Sequence, residues 1–349
     1  MHHQRITKLL TIAAMGLGAL ASACSSPKPA EPAKDQAAAP KPISADERVK
    51  WYQDCWEDFN GGKWDEFKQC YAANATSAQY GYGMPSVSGP DAIVMSSQDF
   101  KKFAPDGHGE GQLILVNGTH LASIYLLSGT NSGPMKSPDG KEMPASMKKF
   151  GLLFAHSIET DPAANKVTKE LGIMDGASMA HQLGMSPEPG RPIMTKGAAS
   201  PSIVIAKNDD TEMKNLSAEQ DQFAAWNMHD LAKADTFVAD DFILHDTTQP
   251  KDMNKAQNDT MTKGFWKAFS DGRITLTSTW AAGDYVFMSG NFDGTNDGDF
   301  PAMKIKKTGN KVTVPFIEID RLAGGKIKEG WFFIDAVMMG AQLAPTAKK

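Results

Sequence analysis

The chain is poor in cysteine, with 3 in 349 residues. That excludes a disulfide-dense scaffold. It has no excess of positive charge: 36 Lys+Arg stand against 41 Asp+Glu, for a net charge of −5. A protein that wraps nucleic acid would carry a basic stripe, so no nucleic-acid partner is expected. No apolar run reaches the roughly 20 residues that a membrane-spanning helix needs. Phosphate-binding glycine loops, dinucleotide fingerprints and Gly-x-Ser-x-Gly elbows are missing. The eight His show no metal-ligand spacing, so no metal site is expected. What is present is an apolar fraction of 41%, enough for real cores, on a length that suits two domains.

The first 43 residues read as an address and a tether. Arg5 and Lys8 precede an apolar stretch from Leu9 to Ala23, the pattern of a secretory signal over residues 1–23. Ala21, Ser22 and Ala23 then lead to Cys24, which resembles a bacterial lipobox, with Ala21 where that pattern usually has Leu. The resemblance implies lipidation of Cys24; the alternative is an ordinary cleavage that leaves Cys24 as the first mature residue. Residues 24–43 are rich in Pro, Ala and Lys and cannot bury enough surface to fold, so they form a spacer. Anchor and spacer together place the protein in the bacterial cell envelope, held to a membrane by lipid. In an oxidising compartment Cys55 and Cys70 could form a disulfide or remain two buried thiols.

The rest of the chain is written twice. Trp56 and Phe67 have the spacing of Trp226 and Phe237, and Asp65 matches Asp235. Gly118 and Gly129-Thr130-Asn131 recur as Gly283 and Gly294-Thr295-Asn296. Asp175 with Gln182-Leu183 recurs as Asp335 with Gln342-Leu343. A repeat of this length is a tandem domain. The expected domains are 44–184 and 217–344, joined by a linker over 185–216 in which Pro, Gly and Ser cluster.

Each half opens with a helix. Ser44 and Glu47 form a capping box, followed by Val49, Tyr52, Trp56 and Phe59 on one face. Ser217-Ala218-Glu219-Gln220 is expected to cap the second half in the same way. Strands are expected over 112–116, 121–128 and 147–157, then 273–279, 285–292, 312–319 and 327–334. Pro315 suggests a bulge or an edge strand. A short helix closes each half. Helices first and strands after imply an α+β fold with helices on one face of an antiparallel sheet.

The second half resembles the SnoaL-like polyketide cyclases of the nuclear transport factor 2-like superfamily. The resemblance rests on Trp226, on Phe237 to Phe242 with His245-Asp246, and on Phe269-Ser270-Asp271. It continues through Gly283-Asp284-Tyr285-Val286, Thr308 to Val312 and Gly325 to Trp331 with Asp335. The first half is more divergent. It keeps Pro105-Asp106, Gly140-Lys141, Asp175 and Gln182-Leu183-Gly184, but has Leu171 where the second half has Trp331. The resemblance implies two tandem cone-shaped domains, each a curved sheet wrapped by helices around an apolar pocket. It implies acid/base catalysis by Asp335 on a hydrophobic, carbonyl-bearing small molecule, with His245 or a tyrosine assisting, Asp175 as the counterpart in the first half, and no metal or organic cofactor required. Trp226, Tyr285, Trp331 and Trp56 would wall the pockets. Cones of this kind often pair through their sheets, so the two domains could pair with each other or the chain could form a homodimer.

Competing readings stand beside these. Asp335 and Asp175 each precede a helix, where Asp is a preferred N-cap. His245 could equally be a strand residue at a turn, and His156, among Leu153, Phe154 and Ile158, reads as a satisfied core residue. Three functions follow: an envelope enzyme of cyclase or isomerase type, a non-catalytic binding lipoprotein, or a structural envelope protein.

Overall fold

A computed structural model describes residues 43–81, 86–136 and 142–344. Cys24, the signal, the tether and Gly140-Lys141 lie outside the described residues.

Helix α1 (Ala45–Gly61) starts where Ser44 and Glu47 close a reciprocal capping box and stops at Gly62, whose φ of 66° an L side chain rarely adopts. The first half continues through α2 (Trp64–Gln69), β1 (Tyr71–Tyr80), β2 (Val87–Ser88), α3 (Pro90–Phe103), β3 (His108–Asn117) and β4 (His120–Thr130). After the two-residue strands β5 (Met135–Lys136) and β6 (Glu142–Met143) come β7 (Lys149–Thr160), β8 (Val167–Met174) and α4 (Gly176–Gln182). The second half repeats this order. Strand β9 (Ser202–Ile205) leads into α5 (Asp210–Asn227), α6 (Leu231–Ala234), β10 (Val238–Asp246), β11 (Met253–Asn254) and α7 (Lys255–Ala268). Strands β12 (Arg273–Ala282), β13 (Tyr285–Thr295), β14 (Lys311–Ala323) and β15 (Lys326–Ile334) follow, and α8 (Ala336–Leu343) closes the half.

Two large separate sheets result, in the strand orders β2-β1-β8-β7-β4-β3-β9 and β11-β10-β15-β14-β13-β12, and β5 pairs with β6 in a small sheet of its own. The fold is α+β in two halves, each a curved sheet with its helices on the concave side. The sheets are antiparallel except where β1 meets β8, β10 meets β15 and β9 meets β3, so each sheet is mixed rather than purely antiparallel. Register shifts in the β1–β8, β10–β15, β3–β4 and β12–β13 pairs supply curvature.

The repeated residues make repeated bonds. Asp106 accepts from Thr130 N and Oγ1, and Asp271 accepts from Thr295 N and Oγ1. Gln182 brackets Gly151 as Gln342 brackets Thr313, each through its amide oxygen and nitrogen.

Three apolar clusters form. One fills each cone, and the third lies between the convex faces of the two sheets. Leu113, Leu115 and Ile124 of the first half pack there with Phe287, Ile317 and Ile319 of the second. Asn117 Nδ2 donates across to Ala281 O at 3.0 Å. The two halves thus pair through their sheets.

Three expectations change. Helix α5 is capped by Asp209, which accepts from Thr211 N and Glu212 N, so Ser217 to Gln220 lie inside the helix. The stronger cap sits two turns earlier, and the later Ser-x-x-Gln spacing is incidental. Pro315 lies in the central strand β14, at neither an edge nor a bulge. Its carbonyl accepts from Asp335 N, just past the end of β15, so its missing N–H faces a place where the ladder has ended. Within 185–216, strand β9 adds to the first sheet and Met194 N donates to Gly151 O.

Candidate functional site

The inner face of each sheet follows from strand parity. Along β14, Val312, Val314, Phe316, Glu318, Asp320 and Leu322 point into the cone, while Ile317 and Ile319 point to the other sheet. This strand therefore brings two acids into the cone beside Phe316.

The second half encloses a cavity of about 180 Å³. Trp226, Phe265, Phe292, Phe300, Phe316 and Phe332 form most of its wall. Asp246, Glu318 and Asp320 line its polar end, and Glu219 of α5 stands behind Asp320, fully buried. Neither Glu219 oxygen finds a donor among the described residues, nor does Asp320 Oδ1. A buried carboxylate with no donor is costly, so this end of the cavity favours the neutral form of its acids. Burial raises all four acids above the ordinary carboxylate range. Neighbouring charge adds to it: Glu318 on Glu219, Glu219 on Asp320, and Asp320 and Asp246 on Glu318. For Asp246 burial outweighs the Thr248 bonds and the charge of Arg191. No Lys, Arg or His lines this cavity among the described residues. The site can donate a proton from a neutral carboxyl and take one back on a neighbour.

The first half encloses a smaller cavity of about 110 Å³, walled by Trp51, Trp56, Phe59, Phe67, Phe100 and Phe154. Cys55 and Cys70, joined by a disulfide, form part of the wall. At the polar end Tyr52 Oη lies 2.7 Å from Ser123 Oγ and 2.9 Å from His156 Nδ1. His156 Nε2 lies 3.2 Å from Glu170 Oε2. Glu170 also accepts from Ser77 Oγ, Tyr71 Oη and Gln79 Nε2. Burial alone would raise Glu170, but His156 and these donors outweigh it and hold the carboxyl below its usual range. His156 is thus both satisfied and part of a cavity wall.

The structure separates several residues grouped by sequence. Asp335 is buried but does not line the cavity. Its Oδ1 accepts from Met338 N at 2.9 Å, capping α8, and its Oδ2 accepts from Gly81 N of the first half at 3.2 Å. It follows Ile334, an inner residue, and so faces the other half. Asp175 caps α4 through Ser178 N at 2.8 Å and lines no cavity. Burial pushes Asp175 up to about 6 against its Ser178 bonds and the Arg191 charge. His245 is on the convex face, not in the pocket. Its Nδ1 lies 3.0 Å from Asp252 and its Nε2 3.1 Å from Glu329, with its ring stacked on Trp331. Tyr285 and Trp331 are likewise convex-face residues packed against the cluster between the sheets, and wall no cavity. Alternation decides this: Leu244 and Asp246 turn inward, so His245 turns outward. Trp226 and Trp56 do wall the two cavities.

Glu318, Asp320, Glu219 and Glu170 were not singled out by sequence. One signal was available: Glu318 and Asp320 at i and i+2 in an apolar strand share a face with Phe316.

Residues 219–343 match the family model described as SnoaL-like polyketide cyclase. No curated protein matches the chain. AclR, a candidate hydroxylase from Streptomyces galilaeus, aligns at 24% identity and a TM-score of 0.35, over 38% of this chain and 96% of its own. IdmH, a candidate polyketide cyclase from Streptomyces antibioticus, aligns at 23% and 0.34, over 37% and 97%. A SnoaL-like candidate cyclase from Jannaschia sp. CCS1 aligns at 19% and 0.37, over 40% and 99%.

Proposed function

We propose, from a second half that carries a SnoaL-like domain, that this half binds a hydrophobic, carbonyl-bearing small molecule and moves a proton on it. The observation that carries the reading is the polar end of the cavity, where Glu318 and Asp320 reach an aromatic interior with no cation beside them. A neutral carboxyl there donates a hydrogen bond to a carbonyl oxygen and polarises it. A neighbouring carboxyl, once ionised, accepts a proton from the carbon beside that carbonyl. Acids pushed up by burial and by one another suit both roles. Asp320 and Glu318 thus take the part that the family resemblance assigns to Asp335. The signal, the Cys24 lipidation and the envelope location belong to the same proposal and rest on residues 1–43 of the sequence.

The test is exchange of the α-protons of cyclohexanone in D2O, followed by proton NMR. The chain should accelerate exchange, and Asp320→Asn and Glu318→Gln should each lose about 100-fold or more, the scale of one acid/base group. Asp335→Asn should retain most of the rate. Full activity in both cavity variants overturns the reading.

A further inference from the structure

The first cavity differs from the second in the sign of its hydrogen-bonding capacity. Each donor at its polar end is already committed. Glu170 takes four: Tyr71 Oη at 3.2 Å, Gln79 Nε2 at 3.1 Å, His156 Nε2 at 3.2 Å and Ser77 Oγ. Four is about the full capacity of a carboxylate. The second amide hydrogen of Gln79 goes to Ser77 Oγ at 3.3 Å. The one Tyr52 proton serves either Ser123 or His156, and Trp56 donates to Tyr52. Lone pairs remain on Tyr71 Oη and on the Gln79 amide oxygen, and behind them stands a carboxylate whose charge favours the positive end of an approaching dipole.

The aromatic wall and the volume set the rest. A cavity of about 110 Å³ is of the order that holds one benzene ring, about 150 Å³ in an engineered apolar case. We propose that the first half carries a second, separate ligand site for a neutral single-ring aromatic bearing one O–H, of the phenol class. The ring lies among Trp56, Phe59, Phe67 and Phe154, and its hydroxyl donates to Tyr71 or Gln79. A ligand offering only an acceptor meets no uncommitted donor at this polar end. The site does not depend on the proton chemistry of the second half.

The experiment is calorimetric titration of the full chain with p-cresol, 4-methylanisole and toluene. p-Cresol should bind at least 10-fold more tightly than either analogue, which lack the donor. Tyr71→Phe removes one acceptor and should reduce p-cresol affinity at least 5-fold while leaving toluene unchanged. Gln79→Leu, at a half-buried position, serves the same purpose should Tyr71→Phe fail to fold. Equal binding of all three compounds, no binding of p-cresol, or unchanged affinity in both variants overturns the proposal.

Discussion

Asp320 and Gly330 stand opposite each other on β14 and β15. Counted from the matching turns at Gly118 and Gly283, the same rung of the first half pairs Ile158 with Glu170. Each half therefore carries one acid at this rung, on opposite strands. Space explains the choice: a Cβ added at Gly330 would lie 2.5 Å from Asp320 Oδ1 and 3.0 Å from Leu244. The rung holds one long polar side chain and needs a small or apolar residue across from it.

Gly330→Ala should therefore displace the Asp320 carboxyl. The expected cost is about 1–3 kcal/mol of stability, as for overpacking elsewhere, together with a slower cyclohexanone exchange. Urea unfolding and the NMR assay check the two effects. A stable variant with full exchange would mean that Asp320 tolerates displacement and its placement does not matter.

The acid cluster makes stability depend on pH. Glu219, Glu318, Asp320 and Asp246 all have raised values in the folded chain. The folded state then holds more protons than the unfolded state above the ordinary carboxylate value, so stability falls as pH rises. Their contribution is complete below about 4 and is lost as pH rises through the raised values. Asp320→Asn should flatten this slope in urea titrations between pH 4 and 8. An unchanged slope would place the protons elsewhere.

Asp175 offers a smaller case of the same sign. Its value of about 6 against an ordinary 3.8 means that its favourable term is lost as pH rises from about 4 through 6. Asn keeps the cap on α4 without the buried charge. Asp175→Asn should thus be more stable than the parent at pH 8, by up to about 3 kcal/mol, and near-neutral at pH 4. Destabilisation at pH 8 would show that the charge itself is needed, with Arg191 as its partner.

Asp335 should behave as a structural residue. Asp335→Ala removes the α8 cap and the acceptor for Gly81 N, at a cost of about 0.5–2 kcal/mol. Proton exchange should persist in the folded fraction. Loss of exchange at full stability would return the catalytic role to this residue.

Reduction of Cys55–Cys70, which closes a 15-residue separation, should lower stability by about 3 kcal/mol in the chain-entropy picture. Denaturant melts with and without reductant measure this directly.

Much of the fold could be read from sequence because local signals were strong. The Ser44–Glu47 box, the repeated Asp-and-Thr-Asn spacing and the long strands of both halves all depend on neighbours within a few residues. Which side of a strand faces the cavity could not be read. On β15 both Phe332, which faces the cone, and Phe333, which faces the other sheet, are apolar. Since both sheet faces are buried, the usual alternation of polar and apolar residues is erased. The family resemblance places Trp331, Tyr285 and Asp335 in the cavity, and no polar and apolar alternation is left in the sequence to oppose it. Glu219 is hidden differently: the Ser217-Ala218-Glu219-Gln220 spacing imitates a helix cap, whereas Glu219 is fully buried inside α5.

The pairing of convex faces has a further consequence. In a dimer of identical subunits, symmetry forces both cavities to carry the same side chains. Fusion into one chain removes that constraint and also makes the pairing independent of protein concentration. Only the residues between the sheets must remain matched, as Leu115 and Ile124 are to Phe287 and Ile319. The concave faces are free to diverge. Fusion thus lets one polypeptide hold a cluster of acids pushed up by burial in one cone and a carboxylate saturated with donors in the other.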